Sequence, residues 1–168
     1  MKKLLMVCGI LFLAAIPAAA QDTYPSAEVY AGYSYLHLDG GGNGHGFDIS
    51  VSGNFGPRFG AVADFAYHRG TGAFSGASAY SYLFGPRVYA RGERATGFFH
   101  ALLGGATLSG GGSISGFALG IGGGVDINAG KNIAVRLGEF DYVPARFAGI
   151  WTHNFRYTGG IVFKFGEK

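Results

Sequence analysis

The chain carries one cysteine, Cys8, and it lies within the first twenty residues. Beyond it there is no thiol, which excludes a disulfide framework and a cysteine nucleophile. Charge is scarce: Asp, Glu, Lys and Arg together make up 14% of the residues. Setting Lys2 and Lys3 aside leaves 11 basic residues against 10 acidic ones, without the clustered basic patch that nucleic acid requires. After residue 20 no run of ~20 apolar residues occurs, so no membrane-spanning helix is available. Helical periodicity is missing too, since no amphipathic segment repeats every 3.6 residues.

Glycine and aromatics are what the chain has in quantity: 32 Gly, 15 Phe and 10 Tyr in 168 residues. The first twenty residues stand apart. Lys2 and Lys3 precede an apolar run from Leu4 to Ile16, and "PAAA" puts small residues, Ala18 and Ala20, at the cleavage positions before Gln21. This is the pattern of a secretory signal peptide, so residues 1–20 are expected to be removed and 21–168 to form one domain.

Within that domain the pattern has period 2. Eight strands are expected, at 27–38, 46–55, 59–68, 78–91, 97–109, 113–127, 132–142 and 153–165. In "FDISVSGNF", Phe47, Ile49, Val51 and Phe55 share one face and Asp48, Ser50, Ser52 and Asn54 the other. In "GFALGIGGGVDI" the bulky residues take odd positions, while the even ones are Gly, Ala and Asp126. The connections differ in kind. "GPR", "GERAT" and "NAGK" read as short turns, whereas "DGGGNGHG", "RGTGAFSGA" and "VPARFAGIWT" read as loops; "SGGGS" is shorter but falls on the loop side.

Period 2 fits both a soluble barrel with its bulky face inward and a membrane barrel with that face toward lipid. Side-chain size separates them. An eight-stranded barrel has an interior only wide enough for side chains, so glycine and short polar residues belong inside and aromatics outside. With short turns at one end and loops at the other, this is the pattern of an outer-membrane barrel. The expected fold is all-β: an eight-stranded antiparallel transmembrane β-barrel with short periplasmic turns and longer outer loops.

The segments "EVYAGYSYL", "YLFGPRVY", "FFHALLGG" and "NFRYTGGIVFKFG" resemble the barrel domains of the OmpA/OmpX-like porin superfamily, over nearly the whole chain after residue 20. The resemblance implies a single-domain integral protein of the cell outer membrane, without a peptidoglycan-binding domain. It also implies a C-terminal assembly signal at Thr158, Gly160, Phe163 and Phe165, read by the barrel-assembly machinery. Outer-membrane lipid and lipopolysaccharide are the implied surroundings.

Parity places Glu28, Asp48, Asp64 and Asp126 in the lumen with Arg87, Arg136, Arg156 and Lys164, four acids against four bases, along with His68 and His100. Balanced charge in a narrow space reads as a paired structural network, because unpaired buried charge is costly. Two histidines without a third partner do not make a metal site. His45 falls in a glycine-rich loop. His153 beside Asn154 lacks a serine at suitable spacing, and a nucleophile needs a base within reach. The glycine clusters complete no phosphate-binding motif. Arg69, Arg146 and Trp151 fall near the outer rim, where aromatics are expected of any such barrel. The expectation is a monomer with no cofactor, metal, catalytic residue or nucleic-acid partner. Its role is structural or surface-interacting, around a narrow, polar, plugged lumen. The alternatives are a small-solute or ion channel and, second, a lipid-modifying enzyme.

Overall fold

The computed structural model describes residues 23–168; the expected signal peptide, 1–20, lies outside them. Eight strands follow one another: β1 Pro25–His37, β2 Asn43–Asn54, β3 Phe59–Thr71, β4 Ser78–Arg91, β5 Ala95–Ser109, β6 Ser113–Asn128, β7 Ile133–Phe147 and β8 Ile150–Glu167. Each pairs antiparallel with the next, and β8 pairs back onto β1 through Val29↔Phe163 and Tyr30↔Val162 to close the barrel. Closure leaves no edge of unpaired N–H and C=O groups, which hydrocarbon does not satisfy. Among the described residues no helix is long and apolar enough to cross a membrane.

The size argument holds along the wall. Phe84, Leu103, Phe140 and Tyr82 stand more than half exposed on the outside, while Asp48, Asp64, Arg87 and Arg156 are buried inside. An exterior this apolar, carried around all eight strands, is far beyond the patches a soluble monomer exposes. Glycine supplies room within: a Cβ at Gly32 would collide with the Tyr30 hydroxyl and the Gly159 carbonyl.

The two ends differ less than the sequence suggests. One end has turns at 55–58, 92–94 and 129–132, and the other has connections at 38–42, 72–77, 110–112 and 148–149. Strand pairing runs further into the expected loops. Of "VPARFAGIWT" only Ala148 and Gly149 stay unpaired, flanked by Phe147↔Ile150. Both have positive φ, 48° and 90°, as a two-residue hairpin turn matching strand twist requires. The connection 72–77 opens with a single 3-10 turn, Gly72–Phe74.

One irregularity changes the interior. β7 carries an extra residue between Arg136 and Glu139, since Arg136 faces Gly160 while Glu139 faces Thr158. The register with β6 shifts at the same level. A bulge of one residue reverses which side chains point inward. Before it Ala134 and Arg136 face the lumen; after it Glu139, Asp141, Val143 and Ala145 do. Outside, Tyr157 covers Gly138 and donates its hydroxyl to the Leu137 carbonyl at 3.0 Å.

The lumen as candidate functional site

The lumen is layered. Nearest the short-turn end, Arg91 on β4 reaches across the bore to Glu28 on β1, Nη1 to Oε1 at 2.7 Å, and donates Nε–H to the Pro57 carbonyl at 3.0 Å. Its guanidinium lies 3.9 Å from the Tyr89 ring centroid. Above it, Arg136 on β7 donates from Nε and Nη2 to the two oxygens of Asp126 at 2.8 and 3.1 Å, and from Nη1 to Glu139. Its flat faces meet Tyr30 and Phe98, whose centroids lie 4.1 and 4.3 Å from Cζ. A planar, weakly hydrated guanidinium suits this position between rings and carboxylates.

The next layer is centred on Arg156 of β8. Nε and Nη2 donate to Asp141 Oδ2 at 3.0 and 2.7 Å, and Nη1 donates to Asp64 Oδ1 at 2.8 Å. Nη1 also lies 2.8 Å from Asp48 Oδ2. Arg156 thus ties β8 to β7 beside it and to β2 and β3 across the bore. His100 links this layer to Arg87. A guanidinium has no acceptor, so its contact with His100 Nδ1 at 3.1 Å makes Arg87 the donor. The proton therefore sits on Nε2, which donates to Asp141 Oδ1 at 2.9 Å. Arg87 also donates to Ser52 Oγ at 3.2 Å.

Toward the outer end the character changes. Val62, Leu83, Leu102, Ala118, Val143 and Ala145 form a buried apolar cluster inside the barrel. His68 beside it is held to Ser34, Nε2 to Oγ at 2.7 Å.

Of the residues the sequence assigned to the lumen, Glu28, Asp48, Asp64, His68, Arg87, His100, Asp126, Arg136 and Arg156 are all buried. They are not one chain of ion pairs. Arg87 meets a serine and a histidine, and Lys164 is half-buried at the short-turn mouth, with Nζ donating to Asn128 Oδ1 at 2.5 Å. The balance of four acids against four bases needs correction. Glu139, Asp141 and Arg91 join, for six carboxylates against five cations. Arg91 has the same odd parity in β4 as Arg87 and was legible. Glu139 and Asp141 were hidden by the bulge, whose one sequence signal is Gly138 inside a strand. Tyr30 and Phe98 show that the interior also takes aromatics where a guanidinium lies against them. In the expected assembly segment, Thr158 is buried, Gly160 packs against the β1 backbone, and Phe163 and Phe165 face outward.

His100 gains the third neighbour it lacked in the sequence. Ligand atoms of His100, Glu139 and Asp141 lie within 4.8 Å of one another. The donor types suit a divalent cation, but each member already contacts a guanidinium, of Arg87, Arg136 and Arg156 respectively. These fixed cations oppose a further one. At the outer rim His153 stacks on Tyr142, interplanar angle 6°, hydrogen-bonds its hydroxyl through Nδ1, and donates its backbone N–H to Asp39 Oδ2 at 3.0 Å.

The architecture is shared with solved barrels. The Neisserial surface protein A superposes with a TM-score of 0.70 at 16% identity, over 85% of this chain and 99% of that one. The chain shares the eight-stranded closed-barrel fold of that protein. OprG of Pseudomonas aeruginosa matches with a TM-score of 0.56 at 12% identity, covering 86% of this chain and 97% of its own. Ail, the attachment invasion locus protein of Yersinia pestis, matches with a TM-score of 0.50 at 21% identity, covering 83% and 99%. No family model matches the sequence, and no curated protein does. The closed wall and continuous apolar girdle, with Phe84, Leu103 and Phe140 facing outward, are those of a barrel built to sit in a membrane.

Proposed function

We propose that this barrel is a structural, surface-facing element of the outer membrane whose lumen is plugged by its arginine-centred network. One observation carries the reading: Arg156 crosses the bore from β8 to Asp48 and Asp64 on β2 and β3 while held by Asp141 on β7. Arg91 crosses again to Glu28. Such pairs persist in a low-dielectric space only where each charge is met, and dissolving one strands its partner. A solute would have to break them.

The surface role is a likeness in kind to NspA and Ail, a surface protein and an attachment protein by name. Here the connections at 38–42 and 72–77 offer the exposed surface. We assign no catalytic step: His68, in the one Ser–His hydrogen bond among the described residues, has no carboxylate partner there. Export by the signal peptide 1–20, insertion through Thr158, Gly160, Phe163 and Phe165 by the barrel-assembly machinery, contact with lipopolysaccharide and a monomeric state complete the proposal. Phe163 and Phe165 facing lipid on the closing strand support the insertion step.

Planar-bilayer recording of the refolded chain tests the plug. Wild type is expected to conduct little, and Arg136→Ala to raise that conductance. A large ohmic wild-type conductance, with ion selectivity altered by Arg136→Ala, would overturn the plugged reading in favour of a channel.

A further inference from the structure

The inner face of β2 is polar without a break: Asp48, Ser50, Ser52 and Asn54 point inward one after another, all buried. Beside this row the protein leaves hydrogen-bonding capacity unused. Asn54 Oδ1, Ser50 Oγ, the Tyr30 hydroxyl, Asp64 Oδ2, Asp48 Oδ2 and Thr158 Oγ1 are buried without a protein hydrogen-bond partner. The strand registers set these atoms in order. Ser50 lies between Tyr30 of β1 and Asp64 of β3. One step outward Asp48 faces Gly32, against which the Tyr30 hydroxyl lies. Beyond it Ser34 faces Thr158 of β8 and holds His68. In the other direction Ser52 accepts from Arg87, and Asn54 donates its amide to the Pro25 carbonyl at 2.8 Å.

A buried polar oxygen left unpaired is costly, and ordered water is its common partner. Successive inward side chains of a strand stand about 6.7 Å apart, a gap that one water bonded at about 2.8 Å on either side closes. Each end of the row meets a larger hollow. Pro25 lines one of about 770 Å³ at the short-turn mouth. His68 and Arg156 line another of about 180 Å³ at the outer end, with Ser81, Thr152 and Asn154. That volume holds about six waters at ~30 Å³ each.

We propose that the lumen, closed to solutes, conducts protons along a single file of water, hydroxyl and carboxyl oxygens on the inner face of β2. Each oxygen takes one proton and passes another on. One proton therefore leaves at the short-turn mouth for each that enters from the outer hollow, and no group in the file ends with a changed charge. An arginine in a pore repels an excess proton. Arg156 is outweighed here, with Asp48 and Asp64 at its Nη1 and Asp141 at its Nη2, so the layer favours a positive charge. A metal ion is stopped on other grounds: it must shed its hydration and part Arg156 from Asp48 and Asp64. A proton hops between oxygens and moves neither.

The inference rests on the plugged reading. The test is proton flux into vesicles that hold the refolded chain and an entrapped pH-sensitive dye, with potassium and valinomycin to balance charge. Sodium entry is measured in the same vesicles. The interior should acidify faster than in protein-free vesicles, with no entry of sodium. Ser50→Val and, separately, Tyr30→Phe each remove a file oxygen that no protein group uses, and Phe keeps the ring that meets Arg136. Each should lower the flux about tenfold, the size of one hydrogen bond lost from the path, while heat-modifiable migration is kept. Acidification no faster than in protein-free vesicles, with sodium still excluded, overturns the file and leaves the plug standing. Undiminished flux in either variant, once folded, also overturns it, since the protons then pass elsewhere. Sodium entering alongside protons overturns the plug and the proton-selective path together.

Discussion

Arg156→Ala probes the centre of the lumen. Arg156 holds Asp141 with two donors, donates to Asp64 and sits beside Asp48. Its removal leaves two of these carboxylates facing no guanidinium, and Asp141 only His100. Breaking a buried pair in this way costs ~3–5 kcal/mol, most of it from the stranded charge. Unfolding by urea from lipid vesicles, followed by the fluorescence of Trp151, the only tryptophan, should show a midpoint shift of that size at constant slope. Adding Asp48→Asn and Asp64→Asn should return ~0.5–3 kcal/mol, because neighbours in one network couple. If Arg156→Ala leaves the midpoint unchanged, or if the Asn substitutions only add further loss, the lumen is solvated and the plug does not exist.

Wall and interior answer to different substitutions. Ile121→Arg or Phe163→Arg at mid-membrane depth should cost ~2–4 kcal/mol in the same unfolding assay. Gly122→Ala should cost ~1–3 kcal/mol, since its Cβ meets the Phe140 carbonyl and Asp141, whereas Gly53→Ala, with open space around it, should change stability by less than ~0.5 kcal/mol. Tyr157→Phe frees the Leu137 carbonyl at the bulge and should cost ~0.5–1.5 kcal/mol, also read from the unfolding midpoint. N-terminal sequencing of the outer-membrane fraction should begin at Gln21, with the folded band migrating differently after heating; recovery as a soluble periplasmic protein would contradict the exported-barrel assignment.

Alternation in "FDISVSGNF" and "GFALGIGGGVDI" was enough to say that each strand has a bulky face and a small one. Side-chain size then chose which face meets lipid, because an eight-stranded bore cannot hold the bulky face of every strand, Phe47, Phe84 and Phe163 among it. Those are local facts, carried by period 2, and they placed Asp48, Asp64, Arg87 and Arg156 inside without any knowledge of their partners. Pairing is another matter. That Arg156 reaches Asp64, 92 positions earlier, depends on barrel closure and on three-dimensional stagger. The inward turn of Glu139 and Asp141 depends on one extra residue in β7. A period-2 reading carried past that bulge points them at lipid, and with them vanish the third neighbour of His100 and the anchor of Arg156. The apolar cluster inside the bore was equally out of reach: Val62, Leu83, Leu102 and Ala118 occupy ordinary lumenal positions. They gather only where the wall brings β3, β4, β5 and β6 together. The sequence by itself determined which face of each strand is which, because that is set within a few residues. Only the tertiary structure decided who meets whom across the bore, because those contacts join residues the chain holds far apart.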